Sequence, residues 1–276
     1  MTSFAEATAA RRIGPGLYGV SVDTDYVLEV SQSAHGGYLL AILLRAALDA
    51  VPFPHPVATS AHFLRPGVAG PAQVRVETVR QGRSSATLRA ALIQADQTIV
   101  EALVTTAALP ADAQAAWTVR PPRLPPPDEC VPFDPGHRLS PGRRVMEKLD
   151  ARFDPTTVGW LDGGPPGTPE IRAYFRLRED YPPDACMMAL AVDAKPPVAL
   201  GVGLYGLMVT VELTLHVRGT PAPGWLTLRA RGQQISNQWF DEDVELWDST
   251  DTLVAQSRQL IRFKGTAVPL SQSSSP

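Results

Sequence analysis

Two kinds of hydrophobic pattern recur along this chain: segments that are apolar on all sides, and short runs that alternate with period two. Residues 38–50 and 184–192 are apolar on almost every face, which is typical of fully buried helices. Turn residues separate the β-rich runs. Two short strands are predicted within residues 14–30, and the longer ones at 57–64, 72–80, 85–94, 98–109, 145–153, 170–178, 207–218, 225–233, 238–248 and 252–263.

The second half of the chain repeats the first. Asp49 at the end of the first helix aligns with Asp193 at the end of the second, 144 positions later. The offset grows to 153 positions between Arg65 and Arg218, and an extra Lys-Pro-Pro loop at 195–197 accounts for the increase. The sequence therefore predicts two copies of one unit, in which an antiparallel sheet wraps around a central helix.

A proline-rich segment separates the two copies and has no periodicity, as expected of a semi-rigid linker. The predicted organisation is α+β, with a first unit at 1–110, a linker at 111–142, a second unit at 143–266 and a disordered tail at 267–276.

Composition excludes several classes of function. The chain has 276 residues, of which 44% are hydrophobic, and a formal charge of −3, without a Lys/Arg run that could follow nucleic acid or a membrane surface. Cys130 and Cys186 give neither a disulfide framework nor the spacing of a zinc site. We expect no nucleic-acid partner and no metal.

The sequence also gives no sign of a signal peptide or a membrane span. The N-terminus lacks the apolar core of a signal peptide, and charged residues and prolines interrupt the apolar run between Ala185 and Leu215. The sequence therefore predicts a cytoplasmic protein without a membrane span.

Four segments carry a resemblance to a known family. They are SAHFLRPG at 60–67, VETVRQGRSSATLRAALIQ at 76–94, VALGVGLYGLMVTVELTLHVR at 198–218 and LVAQSRQLIRF at 253–263. In this order they resemble acyl-CoA thioesterase II and its peroxisomal relatives, which have a double-hotdog fold. The resemblance implies hydrolysis of an acyl-CoA to a free fatty acid and CoA, without a cofactor, in a homo-oligomer of double-hotdog units.

The family's catalytic set is an Asp, a Thr and a Gln in the second hotdog unit. By resemblance these residues fall on Asp193, Thr210 and Gln259. A carboxylate can accept a proton from water, while a hydroxyl and an amide can hold the water in place. The sequence leaves open whether Asp193 acts as a general base or attacks the thioester directly.

The start of the first helix is the predicted site for the thioester carbonyl oxygen. Gly36 and Gly37 allow close approach, and the first helical turn offers unpaired N–H groups. If the two central helices pack antiparallel, Gly37 lies opposite Asp193. His35 either lines the mouth of this pocket or caps the helix.

The duplication also predicts a mirror site that has lost its function. There Asp49 would face the start of the second helix at Asp184, with Val57 in place of Thr210 and Thr105 in place of Gln259. The anionic Asp184 would disfavour a developing oxyanion. We therefore expect one working site per chain.

Alternatives remain at this point. Asp193 could bond only the turn after its helix, Thr210 could be an ordinary strand residue, and Gln259 could face solvent. A hotdog enoyl-acyl hydratase or dehydratase would need a histidine paired with an acid, and His35 has no evident acidic partner in the sequence. A non-catalytic acyl-CoA-binding relative would bind the thioester without cleaving it.

Overall fold

The computed structural model of the chain describes residues 2–29, 31–110, 115–139 and 142–267. The helices are α1 (Phe4–Ala7), α2 (Gly36–Asp49), α3 (Arg143–Glu147) and α4 (Ala185–Asp193). The strands of the first half are β1 (Arg11–Gly14), β2 (Leu17–Val22), β3 (Val27–Leu28), β4 (Ser33–Ala34), β5 (His55–Phe63), β6 (Gly70–Gln81), β7 (Ser85–Gln94) and β8 (Gln97–Ala107). Those of the second half are β9 (Val131–Pro132), β10 (Leu149–Phe153), β11 (Glu170–Leu177), β12 (Leu204–Val217), β13 (Leu226–Arg231), β14 (Ile235–Ser236), β15 (Trp239–Trp247) and β16 (Leu253–Ala267).

The two halves share one antiparallel sheet, and its strand order reveals the duplication. From the centre outward the first half runs β5-β8-β7-β6-β2-β1, and the second half runs β12-β16-β15-β13-β11-β10. These two series are equivalent strand by strand in chain order. Strands β5 and β12 pair at the centre, with Ala61 opposite Leu213, and so join the two halves. This arrangement confirms the predicted double-hotdog fold.

The two apolar segments form the predicted central helices. Nearly every side chain from Gly37 to Ala47 in α2 is buried, as is every side chain from Cys186 to Val192 in α4. Because each helix is apolar on all sides, each is covered by sheet and by the other helix. Their contact places the start of α2 against the end of α4, so Gly37 lies opposite Asp193.

The strand prediction for residues 145–153 is wrong in its first part. Residues Arg143–Glu147 form α3, and only Leu149–Phe153 form a strand. Val145 and Met146 are neighbours in sequence and both are buried. A strand would point them to opposite faces, whereas a helical turn can bury both.

The described part of the proline-rich segment lies against the second half of the sheet. Cys130 and Phe133 are buried, β9 pairs with β10, and the Trp247 indole donates a hydrogen bond to the Val119 carbonyl oxygen. The domain boundaries at 110 and 143 stay a prediction. Most of the predicted tail, residues 268–276, lies outside the described residues.

The apolar stretch Ala185–Val202 has the length and composition of a membrane span, yet 78% of it is buried inside the protein. It comprises α4, the Lys-Pro-Pro turn and a 3₁₀ helix at Val198–Val202. Its hydrophobicity is therefore explained by its burial inside the protein. It is the one such candidate in the described part of the chain.

Candidate active site

The first turn of α2 meets the last residue of α4 at a contact that requires glycine. The Gly37 N–H donates a hydrogen bond to Oδ2 of Asp193 at 2.6 Å. A Cβ on Gly37 would lie 2.5 Å from the Ala189 carbonyl oxygen, and one on Gly36 would lie 2.9 Å from Asp193 Oδ2. Both distances are shorter than van der Waals contact. A side chain on Gly37 would push against the backbone of α4, and one on Gly36 would displace the Asp193 carboxylate.

Asp193 is the last residue of α4, and its side chain is 10% exposed. Besides the Gly37 amide at Oδ2, its carboxylate has the Thr210 hydroxyl 3.4 Å from Oδ1. The unpaired amides and the positive dipole end of α2 favour a negative charge at this position. Asp193 is therefore tied to α2 and β12, whereas the structural alternative predicted bonds only to the turn after its helix.

A β-bulge turns Thr210 towards Asp193. In the pairing of β12 with β16, Thr210 lies opposite Ile261 and Glu212 lies opposite Leu260, so one residue is inserted between them. After the bulge the odd-numbered residues Leu213 and Leu215 face the core. The inserted residue lets the even-numbered Thr210 face the same side, because a bulge shifts the alternation by one.

The alternative in which Gln259 faces solvent is wrong. The residue is only 1% exposed. Its Nε2 donates to the Val192 carbonyl oxygen at 3.0 Å, and its Oε1 lies 3.2 Å from the Thr210 hydroxyl. The amide is thus fixed by α4 on one side and by β12 on the other. The three residues that the family resemblance selects meet at one place, although each comes from a different element.

His35 has the acidic partner that was not evident in the sequence. Its Nδ1 lies 3.4 Å from Oδ2 of Asp193, in a buried position and without a hydrogen bond of good geometry. Burial lowers the pKa of His35, although the Asp193 charge opposes this effect. His35 occupies the N-cap position of α2, but its side chain makes no capping hydrogen bond.

Of the two glycine amides predicted to bind a carbonyl oxygen, only that of Gly36 is available. The Gly37 N–H is engaged by Asp193. For the Gly36 N–H we find no acceptor among the residues that the structure describes. The Gly36 N–H therefore remains as the donor next to the carboxylate.

The mirror site is organised differently from the candidate site, and Asp49 bonds Arg12 and Tyr18 rather than the start of α4. The Asp49 side chain is 56% exposed and bonds the Arg12 guanidinium at 3.0 Å and the Tyr18 hydroxyl at 2.9 Å. The Arg12 hydrogen bond, followed by that of Tyr18, lowers the pKa of Asp49. Asp184 accepts from the Met187 N–H at the start of α4 and forms an ion pair with Arg45. The amides at the start of α4 thus have a carboxylate of their own chain segment as partner.

One feature near the site was missed in the sequence. Lys195 and Glu242 form a buried ion pair, two residues after Asp193 and on the strand beside Gln259. Glu242 stands in the acidic run Asp241–Asp243, whose composition gives no sign of a buried side chain. No pattern along the chain links it to Lys195, so only the burial of both side chains identifies the pair.

The described residues contain no group of three or more His, Cys, Asp or Glu side chains placed to hold a metal ion.

Family models match both halves of the chain. The model of the acyl-CoA thioesterase N-terminal domain matches residues 27–107, and that of the acyl-CoA thioesterase C-terminal domain matches residues 127–263. The chain belongs to the acyl-CoA thioesterase family.

Relatives of this acyl-CoA thioesterase family member are similar over most of their length. An uncharacterized protein of Mycobacterium tuberculosis is 31% identical over 253 residues, which are 84% of this chain and 86% of the relative. A crystal structure from Thermobifida fusca, described as a candidate thioesterase II, is 34% identical with a TM-score of 0.87, covering 96% of this chain and 98% of that one.

A third similar protein shares the fold at lower identity. This conserved hotdog-fold protein of unknown function from Alicyclobacillus acidocaldarius superimposes with a TM-score of 0.82 at 20% identity, over 97% of this chain and all of that one. At this identity the likeness concerns the fold alone.

Proposed function

We propose that this chain hydrolyses acyl-CoA thioesters to a free fatty acid and CoA, through a water molecule oriented by Asp193, Thr210 and Gln259. One observation carries the proposal. The Thr210 hydroxyl lies 3.4 Å from the Asp193 carboxylate and 3.2 Å from the Gln259 amide oxygen, so side chains from α4, β12 and β16 converge on one point.

In this proposal Asp193 accepts a proton from the attacking water. General base catalysis of this kind contributes a rate factor of about 10²–10⁴. The Thr210 hydroxyl can donate or accept, and the Gln259 amide can do both, so together they can fix the orientation of the water. Direct attack by the Asp193 carboxylate, with an anhydride intermediate, remains the alternative route.

The proposed donor to the thioester carbonyl oxygen is the Gly36 N–H, assisted by the positive end of α2. An oxygen that gains negative charge in the transition state is stabilised by such fixed donors, and the loss of one typically costs about 2.7–4 kcal/mol of activation free energy. The Gly37 N–H instead orients Asp193, as its 2.6 Å hydrogen bond indicates. Burial lowers the pKa of His35, which favours the neutral imidazole, and its Nδ1 lies 3.4 Å from the Asp193 carboxylate.

The contact between His35 and Asp193 supports a second candidate, an enoyl-acyl hydratase or dehydratase. Such chemistry needs a histidine and an acid that act on neighbouring carbons of the acyl chain, and the two side chains lie 3.4 Å apart. However, Thr210 and Gln259 would have no part in it. The hydrolytic proposal gives both of them a role.

A screen of acyl-CoA thioesters of different chain length tests the proposal. We expect the native chain to release free thiol and fatty acid, and the Asp193→Ala variant to fold but release none. Turnover by the variant at the native rate would reject the role of Asp193. Loss of enoyl-CoA absorbance without thiol release would favour the hydratase, and tight acyl-CoA binding without either reaction would favour a binding protein.

Two further parts of the proposal concern the whole protein. We propose that double-hotdog units associate into homo-oligomers and that the protein is cytoplasmic, as the family resemblance implies. Size-exclusion chromatography with light scattering tests the first of these, and a single species at the mass of one chain, 29.7 kDa, would contradict it.

A further inference from the structure

Lys195 and Glu242 form an ion pair that is almost completely removed from solvent. Their side chains are 3% and 0% exposed. The Lys195 ammonium contacts Oε2 of Glu242, and the Val198 N–H donates to Oε1 at 2.7 Å. Each carboxylate oxygen therefore has one donor, and the two donors lie at either end of the Lys-Pro-Pro turn.

The pair connects the segment that follows Asp193 to the strand beside Gln259. Lys195 follows Asp193 by two positions, at the beginning of the turn that leads towards β12. Glu242 lies opposite Gln259 in the pairing of β15 with β16, and both side chains are buried on the same face of the sheet. Directly opposed residues are the closest side-chain neighbours across an antiparallel pair.

Fold stability alone gives a weak reason for such a pair. Removing two charges from water carries a desolvation penalty, and well-packed apolar residues of similar size often stabilise a fold equally well or better. An ion pair with an additional backbone hydrogen bond has a defined direction, which apolar packing lacks. The positive charge of Lys195 also acts on the site. Burial lowers the pKa of His35, and the charge of Lys195 lowers it further.

We propose that Lys195 and Glu242 are a positioning pair for hydrolysis: by fixing both ends of the turn after Asp193 to the strand beside Gln259, they hold the carboxylate and the amide at their working distance. This inference rests on the proposed hydrolytic function. Neither residue contacts the reacting atoms in this account, and both act through Asp193 and Gln259.

The test compares Lys195→Met, Glu242→Gln and the double variant. Each is measured where chemical denaturation shows it to be fully folded. We expect kcat for thiol release to fall about tenfold to hundredfold, because displacements near 1 Å have effects of that size, while KM changes less than about threefold. Because the two residues act as one unit, the double variant should lose about as much as either single variant.

Glu245→Gln is the matched control. Glu245 lies on the same strand, forms an ion pair with Arg229 at 2.6 Å, and belongs to the opposite face from Glu242. Its kcat and KM should equal the native values. The double variant has no unpaired buried charge, so it decides the question if a single variant fails to fold.

Different outcomes would contradict the positioning role and the proposed hydrolytic function. If the folded variants have native kcat and only reduced stability, or if the losses multiply in the double variant, the positioning role is wrong while hydrolysis stands. If the native chain releases no thiol, or Asp193→Ala retains full activity, the proposed function is wrong and the positioning role fails with it.

Discussion

The Gly37 N–H donates a hydrogen bond to Oδ2 of Asp193, and this 2.6 Å contact joins the first turn of one central helix to the last residue of the other. Gly37 belongs to the first copy of the repeated unit and Asp193 to the second. The candidate site therefore exists only because the two copies pack together.

Gly37→Ala should loosen the junction and lower the free energy of unfolding. The new methyl group would lie 2.5 Å from the Ala189 carbonyl oxygen and 2.9 Å from the Asp193 Cβ, which are positions fixed by α4. Overpacking of this kind typically costs about 1–3 kcal/mol of unfolding free energy. Gly82→Ala is the control, because its Cβ would meet only the Ser85 carbonyl oxygen at 3.5 Å. Urea denaturation measures the free energy of unfolding of both variants. Equal stability of the two would contradict the predicted clash.

Thr210→Val should lower kcat and also reduce stability, because the buried amide oxygen of Gln259 would lose its hydrogen-bond partner. Valine has nearly the same shape but cannot bond the Asp193 carboxylate or the Gln259 amide, at 3.4 and 3.2 Å from the hydroxyl. A hydrogen bond of about 1 kcal/mol corresponds to a rate factor of about five. Thr214→Val is the control, since its hydroxyl bonds Glu212 instead. A native kcat in Thr210→Val would show that the hydroxyl has no part in the mechanism.

Because His35 is buried, the free energy of unfolding should decrease as the pH falls. Burial lowers its pKa below the ordinary value of 6.5, so the unfolded chain takes up a proton near that pH before the folded chain does. The free energy of unfolding therefore decreases as pH falls below about 6.5, by at most about 1.4 kcal/mol per pH unit. Denaturation curves between pH 7.5 and 5 should show this slope in the native chain and a smaller one in His35→Gln.

His62→Gln provides the matched control for that comparison, because His62 is exposed on β5. Its pH dependence should equal that of the native chain. If the slope of His35→Gln also equals the native slope, the buried imidazole takes up its proton in the folded state as readily as in the unfolded one.

The sequence predicted the strands well because most of them bury one face. Residues 85–94 alternate in burial along the whole strand, and the predicted range equals β7. The continuous sheet was not predicted, since the pairing of Ala61 with Leu213 at its centre depends on contacts between two folded units. The bulge after Thr210 was also invisible, because residues 209–217 alternate between apolar and polar without a break, which hides the inserted residue.

Family resemblance found the three proposed catalytic residues, whereas the polar contacts around them needed coordinates. The 3.4 Å distance from His35 to Asp193 and the Lys195–Glu242 pair join residues that are far apart in sequence. Burial of charged groups identifies both contacts, and burial follows from the complete fold. Local periodicity therefore predicts the scaffold of this site better than its electrostatics.

The most direct test is the kcat for thiol release of Asp193→Asn, measured beside Asp49→Asn. The two aspartates end equivalent helices, but Asp49 bonds Arg12 and Tyr18 at the surface. The account predicts that Asp193→Asn loses a factor of about 10²–10⁴ and that Asp49→Asn keeps the native rate. Equal rates in the two variants, or a loss confined to Asp49→Asn, would contradict it.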